Sequence, residues 1–210
     1  MHRLIIALTL CCLMLPALPA RAATPLDRAV VAELNLARTA PRRYVAFLRD
    51  YRRHLSGKMY LPPGGSVRIV TREGAAAVDE AIGALLRQRP IPPLAWSDGL
   101  AAVAAELAGQ QEQTGATGHG AGDEELRNRV ERQGSWQRSI GENISYGPDD
   151  ARQIVLQLII DDGVKGRGHR RNIFDPAYRQ AGVACAPHPV FGTGCVIDFA
   201  GGFTASPAGQ

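Results

Sequence analysis

Two histidines stand out by what surrounds them. His119 lies in Gly118-His119-Gly120 and His169 in Gly168-His169-Arg170. Glycine beside a histidine in a polar loop lets the backbone approach closely and leaves the ring accessible. Each alone reads as an ordinary loop histidine, and the weight comes from two acids between them. Gly141-Glu142-Asn143-Ile144 puts a carboxylate in a turn, next to an amide suited to backbone hydrogen bonding. Asp161 follows Leu158 by three residues and Ile154 by seven, which puts it on the core-facing edge of a helix. An acid there is costly unless it is paired or solvated in a cleft. The expectation is therefore one exposed cleft lined by His119, His169, Glu142 and Asp161. Two neutral imidazoles suit Zn²⁺ or another divalent cation, with carboxylates orienting the rings or completing the coordination. A metal-activated water with Glu142 as general base would make such a site a hydrolase.

The other candidates are weaker. His54 ends an arginine-rich helix, where a cation suits the dipole, and His188 lies between two cysteines. The chain has no His-Glu-x-x-His, no Cys-x-x-Cys, no Gly-x-Ser-x-Gly and no phosphate-cradling glycine loop.

The elements that must carry these residues can be read from caps and periodicity. Thr24-Pro25 starts a helix through Leu26, Val30, Leu34 and Ala37. Pro41 opens a second, with Tyr44, Phe47, Leu48 and Tyr51 on one side. Arg42, Arg43, Arg49, Arg52 and Arg53 form its other face, either a solvated surface or a contact for anionic lipid or cell wall. Pro62-Pro63-Gly64-Gly65 marks a turn before a short strand at Val67–Val70. Val78, Ile82, Leu85 and Leu86 line a helix that ends at Pro90. Ser97 caps a helix burying Leu100, Val103, Ala104 and Leu107. Asp123 caps a shorter one with Leu126 and Val130 inward. Gly134 to Gly141 reads as loop, Asp149 or Asp150 begins the helix that ends at Asp161, and Gly182–Ala186 and Val196–Ala200 read as strands. The fold class expected is α+β, with helices packed on the faces of a small, mostly antiparallel sheet.

Residues 1–22 read as a secretory signal. His2 and Arg3 precede an apolar run from Leu4 to Leu15, Pro16 and Pro19 break it, and Ala20-Arg21-Ala22 supplies the small residues of a cleavage site. The run is too short to span a bilayer of roughly 30 Å. A lipoprotein reading of Cys11 or Cys12 is poor because Leu10 precedes Cys11. Residues 23–210 then form one domain with no transmembrane anchor. Arg3 and Arg21 leave with the signal, so the formal charge falls from +4 to +2 and nucleic acid is not an expected partner. Cys185 and Cys195 are the cysteines left, and an oxidising compartment, periplasmic or extracellular, favours their pairing as a structural disulfide.

An ordered set of motifs resembles the CAP superfamily of cysteine-rich secretory, antigen 5 and pathogenesis-related 1 proteins, also called SCP domains. Asn35-Leu36-Ala37-Arg38 resembles the family's N-x-x-R helix. Pro93-Leu94-Ala95-Trp96-Ser97-Asp98-Gly99-Leu100 is similar to its P-L-x-W-x-x-x-L. His119, Arg129-Val130 ahead of Gly134, Gly141-Glu142-Asn143-Ile144 and Gly168-His169-Arg170-Arg171-Asn172-Ile173 follow in order, the last in the G-H-R-x-N-I form common in bacterial members. The resemblance implies an α-β-α sandwich, a tetrad of two histidines and two acids, and metal at that site with variable occupancy. His119, Glu142 and His169 fall on three tetrad positions. The fourth, usually a glutamate three residues after a helical Trp, falls on Asp161, with Leu158 at the Trp position and Asp162 as the substitute. Pro41 to Pro92 is longer than the family's link and reads as an inserted helix–strand–helix lobe.

Three functions suit this reading. One is an extracellular binding module for lipid or sterol, cell-wall material or a host surface. The second is the metal-dependent, peptidase-like hydrolase using Glu142. The third is a structural or interaction domain in which the tetrad is a stabilising polar network.

Overall fold

The computed structural model describes residues 22–65, 68–120 and 123–207. The signal expected at 1–22 lies outside them up to Arg21, as do Val67 of the expected strand and the capping side chain of Asp123. Helix α1 (Pro25–Thr39) opens on a reciprocal cap. The Thr24 hydroxyl accepts from the Asp27 N–H at 3.2 Å, and the Asp27 carboxylate accepts from the Thr24 N–H at 2.7 Å. Helix α2 (Pro41–Arg53) buries Tyr44, Val45 and Leu48 and turns Arg42, Arg43, Arg49 and Arg53 to solvent. A ribbon of three two-residue strands follows: β1 (Leu55–Ser56), β2 (Met59–Tyr60) and β3 (Ile69–Val70), in that order and antiparallel. It leads to α3 (Ala75–Arg87). This segment therefore contains a ribbon where a single strand was expected, because two-residue strands leave no alternation to read.

The main sheet begins at β4 (Ala95–Trp96), after which Ser97 caps α4 (Asp98–Thr114). Then come α5 (Asp123–Gln133), β5 (Gly134–Tyr146), α6 (Ala151–Ile160), α7 (Gly168–Ile173), β6 (Gln180–His188) and β7 (Gly192–Ala205). The strand order is β4-β6-β7-β5, with β4 parallel to β6 and the other pairs antiparallel. Helix α4 packs on one face of β6 and β7. A Cβ on Gly182 of β6 would lie 2.0 Å from the Ala101 nitrogen of α4, so this packing requires glycine. Helices α1 and α6 cover the other face, and α2 and α3 pack on each other and against that layer. The larger apolar core, with Leu34, Leu48, Ile154, Ile159 and Phe199, lies on this second side. The result is an α-β-α sandwich. Cys185 and Cys195 face each other in the β6–β7 register and are joined by a disulfide.

Two expectations are corrected. Gly134 to Gly141 is not loop but the first part of β5, interrupted by an irregularity between Gln137 and Ile140, with Arg138 at φ 69°. Its glycines are set by close approach rather than by turning: a Cβ on Gly141 would fall 2.2 Å from the Tyr178 hydroxyl. His169 is not in a loop but in the first turn of α7, a helix too short to display a period. Among the described residues no helix is long and apolar enough to cross a membrane.

Candidate functional site

Strand β5 is an edge strand, and its consecutive residues Glu142 and Asn143 point to opposite faces of the sheet. On the α5 side, Glu142 Oε1 meets His119 Nδ1 at 2.8 Å and Glu142 Oε2 accepts from Arg129 Nη2 at 2.6 Å. Arg129 also reaches the His119 carbonyl at 3.4 Å. The Arg129 and Glu142 side chains are each 1 % exposed, whereas the His119 ring is 48 % exposed. Directly across the ladder from Glu142 stands Asp198, fully buried. Apart from the adjacent Glu142 carboxyl, neither of its oxygens has a hydrogen-bond partner. Burial, and then the charge of Glu142, push the Asp198 carboxyl well above the usual aspartate range, with Arg129 opposing.

On the α7 side, Asp161 ends α6 in a left-handed conformation at φ 55°, which turns its carboxylate toward the next helix. Its Oδ1 meets His169 Nδ1 at 2.6 Å, and its Oδ2 accepts from the His169 N–H at 2.9 Å. The shorter acid thus reaches its ring because it lies just past the helix rather than on its face. Asp162 is engaged elsewhere, accepting from the Arg72 and Glu73 N–H groups at 2.6 and 2.8 Å. Asn143 ties the two halves together, donating to the His169 carbonyl at 3.0 Å and accepting from Asn172 at 2.9 Å.

The four residues thus form two His–acid pairs that flank one edge strand. His119 and Glu142 line a cavity of about 350 Å³, and His169 and Asp161 line another of about 270 Å³. In both pairs the carboxylate accepts a hydrogen bond from Nδ1–H, which leaves each Nε2 as the ring nitrogen with no described partner. His188 is engaged elsewhere: its Nε2 lies 3.1 Å from the Ala116 carbonyl and its Nδ1 accepts from the Val190 and Phe191 N–H groups. His54 Nδ1 lies 2.9 Å from the Asp50 carbonyl.

The segment carrying His169 is also clasped from outside the sandwich. Arg167 pairs with Glu73 at 2.7 Å and Glu80 at 3.1 Å, and Arg170 reaches Glu80 at 2.5 Å, both acids belonging to the 41–92 segment. The hydrogen bonds from Arg167, and then from the Gly163 N–H, pull Glu73 down to about 2. A lowered folded-state pKa gives stability that is present above the ordinary value of 4.5 and lost as pH falls toward 2. Glu73→Gln should therefore flatten the acid limb of a thermal-melting profile between those limits. An unchanged limb would show that the clasp contributes nothing there.

The profile of the cysteine-rich secretory protein (CAP) family matches residues 34–199. The chain belongs to the CAP family. No curated protein matches it. Among solved structures it is similar to an SCP-domain extracellular protein from Bacillus anthracis (20 % identity, TM-score 0.43). It is also similar to a cysteine-rich secretory protein from Staphylococcus aureus (12 %, TM-score 0.40). Each of these matches covers 60 % of this chain and only 37 % of the other protein. BmVAL-1 (15 %, TM-score 0.44) is matched over 87 % of this chain and 80 % of its own.

Two contributors to this CAP site carry no mark in the sequence, and a third was marked without its role. Asp198 is one polar residue in an apolar strand and Glu80 one acid on an amphipathic helix, whereas Arg129 stands in a family motif that does not show its pairing with Glu142. The register and packing of distant elements give each its role. A divalent cation, which membership of the family implies, would find two Nε2 atoms, because both carboxylates are already engaged. Among the described residues no group of three or more His, Cys, Asp or Glu side chains is placed to hold a metal ion. The rings line separate cavities, so each cavity offers a cation one ring nitrogen and water rather than a structural cage.

Proposed function

We propose that this CAP domain is an exported binding module, periplasmic or extracellular, whose ligand seats in the cavities flanking β5. The observation that carries the reading is the paired geometry: each ring is fixed through Nδ1 by a buried acid and turned toward a cavity. The signal-like residues 1–22 and the Cys185–Cys195 bond support export. His119 and His169 would hold Zn²⁺ or a similar cation weakly, and the ligand would come from the surroundings of the cell, such as lipid, cell-wall material or a host surface. The hydrolase reading is disfavoured. Glu142 is 1 % exposed and already accepts from His119 and Arg129, so little of its carboxylate faces the water that it would have to activate.

Zinc titration by calorimetry tests the cleft. The wild type should bind, the double variant His119→Ala, His169→Ala should lose that binding, and affinity should fall as pH drops because a protonated imidazole cannot coordinate. Equal affinity in the double variant would remove the cation from this site. Turnover of a peptide or ester substrate that vanishes in a folded Glu142→Gln variant would reinstate the hydrolase.

A further inference from the structure

The cavity beside His169 continues into a larger one. The first, of about 270 Å³, and the second, of about 580 Å³, share Ile69, Tyr146 and Gln157, and together they form a trough running from His169 to Phe191. One wall is the sandwich and the other is the β3 side of the ribbon. Eight large apolar side chains are exposed among the described residues, and four of them line this trough: Ile69 (46 % exposed), Val70 (72 %), Val164 (36 %) and Phe191 (45 %). Apolar side chains gathered on one concave surface mark a place where something binds.

Two features define the occupant. The charged residues lining the trough are acids, Asp149, Asp161 and Asp162, with no lysine or arginine among the lining side chains. A carboxylate or phosphate head group would meet like charge there, and a cation would be favoured. The wall itself includes β3, the outer strand of its ribbon, whose two residues leave one backbone donor and one acceptor on the free edge for an extended chain. An acyl chain has no use for such an edge.

We propose that this trough binds an extended peptide segment of another protein, apolar in its middle and carrying a lysine, arginine or terminal amine, laid along β3 with its positive group toward Asp149 or Asp162. The inference rests on the binding-module reading and supplies its ligand class. It also gives the ribbon a purpose as the outer wall of the site.

The test is selection of a displayed random heptapeptide library on the purified mature protein, counter-selected on Val70→Lys. Val70 is the most exposed of the four apolar residues, so this change should leave the fold intact while adding positive charge and removing apolar contact. Enriched peptides should combine apolar residues with a basic one. Their affinity by fluorescence anisotropy should fall about tenfold or more in Val70→Lys and be restored by no cation. Failure to enrich, enrichment of acidic sequences, or equal binding to Val70→Lys would overturn the proposal. So would sodium dodecanoate binding to the trough and tightening in Val70→Lys, which would make it a lipid site. His119→Ala, His169→Ala serves as the separate control. Loss of zinc binding there with no peptide selected would leave the cleft standing and sink the peptide. Peptide binding sensitive to Val70→Lys with zinc affinity unchanged would do the reverse.

Discussion

Arg38→Met is expected to lower the free energy of unfolding by about 3–5 kcal/mol, the range found when one partner of a buried charged network is removed. Arg38 is 0 % exposed and gives all its described hydrogen bonds to carbonyls: Nε to Pro92 at 3.0 Å, Nη1 to Ile173 at 2.6 Å and Asp175 at 3.1 Å, and Nη2 to Tyr178 at 3.0 Å. Burial, and then Arg179, pull the guanidinium down to about 10, so it remains a cation at neutral pH. Three of the four carbonyls follow one another as the chain leaves α7, so Arg38 closes the helix that carries His169. Methionine fills much of the volume but leaves those carbonyls without a donor, at about 1–3 kcal/mol for each that stays dry. Lysine should recover little, because one ammonium cannot reproduce a planar fork. Urea unfolding at neutral pH checks this, and a loss below about 1 kcal/mol would mean that water replaces the guanidinium at small cost.

Arg129→Met should cost a similar amount, about 3–5 kcal/mol at neutral pH, for a different reason. Its removal leaves Glu142 and Asp198 buried opposite one another without the guanidinium that pairs with Glu142. The partner experiment is Asp198→Asn. An acid whose folded-state pKa is raised keeps a proton that the unfolded chain has released, so its contribution to stability falls as pH rises above the ordinary aspartate value. Asp198→Asn removes that penalty. The variant should match the wild type near pH 3, become more stable than it as pH rises to 7, and partly rescue Arg129→Met. A gain independent of pH, or a loss at pH 7, would show that Asp198 is ionised in the folded protein and paired in a way that the geometry does not reveal.

What could be read in advance and what could not follow from the range of the forces involved. Thr24 and Pro25 act within a single turn, and their cap is visible as a local pattern, to which the structure adds the reciprocal bond of Asp27. Cys185 and Cys195 bracket one hairpin, so their pairing needed only the hairpin. Strand β5 was misread because Gly134 and Gly141 look like punctuation until Thr204 and Tyr178 are seen pressed against them. The same holds at the site. His119, Glu142, Asp161 and His169 could be singled out by their neighbours in sequence, yet their division into two pairs depends on Glu142 and Asn143 falling on opposite faces of an edge strand. Asp198 could not be found at all without the register that sets it opposite Glu142.

The clasp of Glu73 and Glu80 on Arg167 and Arg170 has a consequence for how such a protein could diversify. The His119 half is anchored by α5 and the central ladder, whereas the His169 half also leans on an outlying segment. Chimeras that exchange residues 41–92 between homologues should therefore shift the tilt and solvation of one imidazole while leaving the other where it was. Selectivity could drift this way one ring at a time, with no change to the framework that joins them.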